Sequence, residues 1–282
     1  AAINSYKQAL IIKPDYADTY NNMGVTLHDK GDLEAAIDSY KNAIKIKLDY
    51  AEAYYNMGNA LKDKGDLEAA IGSYKKALKI KPDYAEAYYN MGVALFDEGD
   101  LDAAIDSFKQ ALKIKPDYAE AYNNVGVALK SKGDLEAAIG NYQQALKFKP
   151  DYADAYNNIG LSMRSKGELE AAIGSYQQAL KIKPDYADAY NNMGNALQDK
   201  GDLEAAIVSY RQALKIKPNY ADAYNNMGNV LKYKGDLEAA IDSYKQALKI
   251  KPNYAKAYNN MGVALFDEGD LEAAIDSYQQ AL

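Results

Sequence analysis

Apolar residues along this chain fall into two alternating helical stripes. From Ala85 onward, Tyr88, Met91, Gly92 and Leu95 stand at i, i+3, i+4 and i+7, one face of a first helix, A. Past Gly99, Leu101, Ala104, Ile105, Phe108, Ala111 and Leu112 keep the same spacing over about four turns, a second amphipathic helix, B. Gly99 supplies the left-handed residue that ends A, and Asp100 the carboxylate that caps B. Lys113 and Lys115 put positive charge at the C-terminal end of B, Pro116 stops it, and Asp117 is expected to cap the next A. Gly92 and Ala104 leave room for close helix contact, and Tyr88 and Phe108 are expected to bring most of the buried area.

The pattern returns every 34 residues without insertion. Lys-Pro-Asp/Asn-Tyr recurs with Pro at 14, 82, 116, 150, 184, 218 and 252, and Leu48 fills the remaining slot, where a slight change of packing angle is expected. The second helix of a truncated unit (1–16) therefore precedes eight repeats, 17–50, 51–84, 85–118, 119–152, 153–186, 187–220, 221–254 and 255–282, expected to form one continuous domain. One hairpin cannot bury both of its stripes, so neighbours must stack into a solenoid. Tyr88-x-x-Met91-Gly92-x-x-Leu95, then Ala104-x-x-x-Phe108-x-x-Ala111 and Pro116, resemble the tetratricopeptide repeat, with Tyr for its usual Trp at position 4 and Leu for its usual Tyr at position 11. The resemblance spans the whole chain. It implies an all-α, right-handed superhelical solenoid of antiparallel helix pairs with helix A lining a concave groove, and a non-catalytic protein-binding scaffold.

With each repeat numbered from its first alanine, positions 2, 6, 9 and 13 of helix A point away from the apolar stripe, at 100° per residue. Position 6 is always asparagine: Asn22, Asn56, Asn90, Asn124, Asn158, Asn192, Asn226 and Asn260. Asparagine inside an exposed helix costs about half a kcal/mol, so eight in phase need a reason. One is inheritance from a recent ancestor or a hydrogen bond to the adjoining helix; the other is a ladder of amides that pairs with the backbone of an extended peptide. Such a ladder is similar to the one in the repeat domain of O-linked N-acetylglucosamine transferase. Tyr55, Tyr89 and Phe96 add groove-side aromatics, either as anchors for a ligand or as packing against a neighbouring repeat. Position 2 is acidic in seven repeats and Lys256 in the last, so the basic clamp of chaperone-binding relatives is absent. Positions 2, 12 and 13 carry −6, +4 and −5. Those charges compensate helix dipoles or favour basic and neutral ligand segments.

Composition narrows the chemistry. Zero cysteines and one histidine, His28, at a variable position read as structurally neutral, leave no thiolate, metal set or acid/base relay, so no catalytic residue, metal or cofactor is expected. With 33 basic against 40 acidic residues the net charge is −7, which disfavours nucleic acid. No apolar run is long enough to span a membrane and no leader is present, which points to the cytoplasm. Three readings remain: a scaffold for an extended peptide, the substrate-recognition part of a larger enzyme such as a glycosyltransferase, or a structural array, natural or designed, joined through its ends. Leu271, Ile275 and Tyr278 are expected to be exposed in the last repeat, which predicts concentration-dependent self-association measurable by light scattering.

Overall fold

The computed structural model describes residues 2–282, and among them there are seventeen helices and no strand. A lone α1 (Ala2–Ile12) precedes the pairs α2 (Ala17–Asp29) and α3 (Leu33–Ile46), α4 (Ala51–Lys64) and α5 (Leu67–Ile80), α6 (Ala85–Glu98) and α7 (Leu101–Ile114), and α8 (Ala119–Ser131) and α9 (Leu135–Phe148). Then come α10 (Ala153–Ser165) and α11 (Leu169–Ile182), α12 (Ala187–Lys200) and α13 (Leu203–Ile216), α14 (Ala221–Tyr233) and α15 (Leu237–Ile250), and α16 (Ala255–Glu268) and α17 (Leu271–Ala281). The helices cluster into two compact units, with the division of the chain falling between Phe148 and Lys149. Within each unit, the two helices of every pair pack on each other and on the first helix of the next repeat in that unit, and α1 packs on α2.

The glycines that end helix A, Gly31 through Gly269, all take positive φ between 80° and 96°. At Gly99 the turn is closed by Gly99 N–H donating to Phe96 O at 3.0 Å and Asp100 N–H to Leu95 O at 2.9 Å, which satisfies two orphan carbonyls. Asp100 then caps α7 by accepting from Ala103 N–H at 3.1 Å, and Asp32, Asp66, Asp134, Asp202, Asp236 and Asp270 do the same for their helices. The eighth such position is Glu168, whose longer side chain makes no cap bond to α11. Glu168→Asp is therefore expected to add about 0.5–1 kcal/mol, read as a raised midpoint in urea.

Helix A begins differently from the expectation. Asp117 is not its cap: Tyr118 holds the N-cap position without a side-chain bond, and its carbonyl accepts from Ala121 and Tyr122 N–H at 3.0 and 3.2 Å. The carboxylate lies one residue too early. The tyrosine serves as a clip instead, since the lysine three residues before it lays its ammonium over the ring at 4.4–4.7 Å in every repeat. Leu48 leaves the turn unaltered: it is exposed, and Lys47 before it has φ −127°, ψ 95°, close to the −126° and 88° of Lys81 before a proline.

At position 24 of the repeat, Tyr40, Tyr74, Phe108, Tyr142, Tyr176, Tyr210 and Tyr244 are fully buried, whereas Tyr88 at position 4 is only half-buried. Each position-24 ring lies against the glycine at position 8 of its own repeat, as Phe108 does on Gly92. In α17, Leu271 and Ile275 are exposed and Tyr278 half-buried.

Candidate peptide-binding groove

Position-6 asparagines in both units are tied to the preceding repeat. In the first unit Asn56 Nδ2 donates to Asn21 Oδ1 at 3.1 Å, Asn90 Nδ2 to Tyr55 Oη at 2.9 Å and to Asn59 Oδ1 at 3.0 Å, and Asn124 Nδ2 to Tyr89 Oη at 3.0 Å. In the second, Asn192, Asn226 and Asn260 donate to Asn157, Asn191 and Asn225 at 3.0, 3.2 and 2.9 Å. Position 6 thus reaches position 5 of the repeat before it, the bond to an adjoining helix that was one of the two sequence readings. Apart from Asn22, which is exposed, these amides are half-buried, so each keeps an open side.

Tyr55 and Tyr89 are inter-repeat contacts as well. Their rings lie 4.8 Å from Tyr84 and 4.9 Å from Tyr118, and their hydroxyls are the acceptors for Asn90 and Asn124. Burial pushes the pKa of the Tyr89 hydroxyl up. Phe96 is half-buried and borders a small pocket of about 70 Å³ with Val93, Phe108, Asn124 and Val127.

In the second unit the face away from the apolar stripe forms a cavity of about 440 Å³ lined by Asn191, Asn195, Asn226 and Asn229, with Arg164, Gln198, Asp199, Asp222 and Lys256 around them. These are positions 2, 5, 6, 9, 12 and 13, so the helical geometry read from sequence placed most of the lining. Its internal pairings were missed. Arg164 Nε lies 2.6 Å from Asp199 Oδ2, and Tyr254 Oη donates to Asp222 Oδ1 at 2.5 Å. Burial, then the Asp222 carboxylate, pushes the Tyr254 pKa up, so this hydroxyl remains a donor. Tyr50, Tyr186 and Tyr220 bond in the same way to Asp18, Asp154 and Asp188. Four position-2 aspartates therefore hold the tyrosine that opens the next helix A, and the 32-residue Asp-to-Tyr spacing was the available signal. His28 is not structurally idle either: its Nε2 lies 2.8 Å from Asp63 Oδ2. Position 12 faces position 13 of the next repeat, as it does in the Arg164–Asp199 pair.

Among the described residues no His, Cys, Asp and Glu group could hold a metal ion, and no helix is long and apolar enough to cross a membrane. A family model described as TPR repeat matches residues 1–31, 26–65, 58–99, 92–133, 126–164, 160–201, 194–232 and 228–267, and one described as tetratricopeptide repeat matches 255–282. The chain belongs to the tetratricopeptide repeat family. Solved structures similar to this TPR chain include MamA, at 29% identity and TM-score 0.52 over 56% of this chain and 92% of that one. Another is YrrB, described as a TPR protein with an unusual peptide-binding site, at 26% identity and TM-score 0.56 over 67% of this chain and 97% of that one. A third, the APC/C hetero-tetramer Cut9–Hcn1, matches at 20% identity and TM-score 0.70 over 93% of this chain and 52% of that one, a likeness of fold alone. No curated protein sequence matched the chain.

Beneath the TPR groove, position 9 decides whether the position-24 hydroxyl has a partner. Tyr74, Tyr210 and Tyr244 donate to Asn59, Asn195 and Asn229 at 2.8–2.9 Å. Tyr40 and Tyr176 stand over Val25 and Leu161 at position 9 and bury hydroxyls that have no partner, while Phe108 over Val93 carries none. Leaving a buried hydroxyl unpaired costs about 1–3 kcal/mol. Tyr40→Phe is therefore expected to stabilise by about 1 kcal/mol, and Tyr244→Phe to destabilise by about 0.5–1.5 kcal/mol. Denaturant titration of both variants checks the opposite signs.

Proposed function

We propose that this chain is a non-catalytic protein-interaction scaffold whose asparagine-lined concave face holds an extended peptide segment. The observation that carries the reading is the set of position-6 amides, of which Asn56, Asn90, Asn124, Asn192, Asn226 and Asn260 are oriented by a bond to the preceding repeat. An amide has two N–H donors and a carbonyl acceptor. Where the fold takes one N–H, as at Asn56 and Asn192, the second can meet a peptide backbone at no cost in reorientation, whereas Asn90 commits its amide nitrogen to both Tyr55 and Asn59. Tyr55, Tyr89 and Phe96 give the first unit an aromatic flank beside the same ladder. The peptide-binding site named for YrrB supports the same reading.

Asn192→Ala, Asn226→Ala and Asn260→Ala together test it on a peptide array. Each change also removes an inter-repeat bond, about 1 kcal/mol, so binding is compared where circular dichroism shows the variant fully helical. A loss of at least about tenfold in affinity, one or more hydrogen bonds, is the expected result; unchanged binding moves the site off this face. The acidic excess at positions 2 and 13 further favours basic or neutral segments. Affinity for a Lys-rich peptide should fall as salt rises from low to physiological strength, and a salt-independent affinity would reject that preference.

A further inference from the structure

Repeat 85–118 departs from its neighbours at two places that meet in space beside Val93. Position 12 is Phe96, where the other repeats of the first unit carry His28, Lys62 and Lys130. Position 24 is Phe108, which has no hydroxyl in a slot that is tyrosine in the other seven full repeats, and Val93 at position 9 is a residue shared with Val25, Val127 and Val263. Together with Val127 and Asn124 of the next repeat, these side chains enclose the pocket of about 70 Å³. Its walls are apolar except at Asn124, whose Nδ2 is held by Tyr89 Oη and whose amide carries a second N–H. The surroundings are acidic. Positions 2 and 13 of the first four repeats hold seven carboxylates, the exposed Glu86 and Asp97 of this repeat among them, against two lysines at position 12.

We propose that this pocket is a specificity subsite that seats one small branched aliphatic side chain, valine in size, of an extended partner segment with basic residues on either side. The proposal rests on the peptide-binding reading above and names the class of peptide. Size selects the side chain: a cavity of about 150 Å³ is what benzene needs, so an aromatic residue does not fit into half of that, and glycine leaves it empty. Charge selects the flanks, because lysine or arginine on either side of the seated residue meets the acidic excess at positions 2 and 13 of this unit. Asn124 at the mouth offers its remaining N–H to the carbonyl of the seated residue, which couples the subsite to the ladder.

Short Lys-flanked peptides that differ only in a central Val, Gly, Phe or Asp, titrated into the full chain by fluorescence anisotropy, test the assignment. The Val peptide is expected to bind roughly tenfold tighter than the others, the usual discrimination of an apolar pocket. Phe96→Lys, which copies what Lys62 and Lys130 already are at the same position, should erase that preference and, by its added positive charge, weaken all four peptides alike; Val127→Phe, which fills the pocket, should erase the preference without that charge effect. Equal affinity for all four peptides, or a Val preference that survives both variants, overturns the subsite and leaves the groove reading intact. Absence of binding by any peptide at low salt overturns both. If Phe96→Lys instead changes the mass seen by light scattering, the pocket serves a second copy of the chain and the proposal falls.

Discussion

Gly194→Ala is expected to destabilise the second unit by about 1–3 kcal/mol, although alanine in place of a mid-helix glycine gains up to about 1 kcal/mol in propensity. A Cβ at Gly194 would stand 2.6 Å from Tyr210 Cε1. The ring cannot retreat: Tyr210 is fully buried, and its hydroxyl donates to Asn195 Oδ1 at 2.8 Å. Overpacking against a ring fixed at both ends outweighs the propensity gain. Gly72, in the interior of α5, is the matched control, because nothing lies within 4 Å of where its Cβ would be. Gly72→Ala should stabilise by about 0.5–1 kcal/mol. Thermal unfolding of both variants decides the matter, and equal signs would show that the glycine–ring contact does not govern position 8.

Alkali should unfold the protein over a narrow range just above pH 10. Burial raises the pKa of Tyr40, Tyr74, Tyr176, Tyr210 and Tyr244 well above the ordinary value of 10.0. The sign follows from which state holds its protons. Below pH 10 the phenols are neutral in both states and their burial contributes in full; above it the unfolded chain ionises first, and stability falls as pH climbs toward the folded values. Each such tyrosine removes about 1.4 kcal/mol per pH unit, so Tyr176, Tyr210 and Tyr244 in the second unit together remove about 4 kcal/mol per unit. Circular dichroism at stepped pH, with tyrosinate absorbance followed in parallel, should show helix loss and ionisation as one transition. Tyrosinate appearing near pH 10 with the helix signal intact would contradict it.

The helices were legible because each is announced locally. A stripe at i, i+3, i+4 and i+7, a left-handed glycine and an aspartate cap lie within a few residues of one another, and the structure has them at Gly99 and Asp100 as read. Tyr118 was not legible as the start of helix A, since its role comes from backbone geometry and from Lys115 stacking on its ring, while the cap rule pointed to Asp117. In the groove, a 100° step sufficed to bring Asn195, Asn226, Asn229 and Asp222 to one face. It was silent on what those side chains do to one another. Asn226 bonding to Asn191, Tyr254 to Asp222 and His28 to Asp63 are pairs 32 to 35 residues apart, on different helices. What the sequence by itself determined is the repeat, the helix pair and the face that each residue occupies, because those depend on periodicity within one turn or one hairpin. Only the tertiary structure decided that the asparagines brace neighbouring repeats and that two changes in repeat 85–118, Phe96 and Phe108, converge on one pocket, because side-chain partners across repeats are set by how helices stack, and stacking distance is not written in any local spacing.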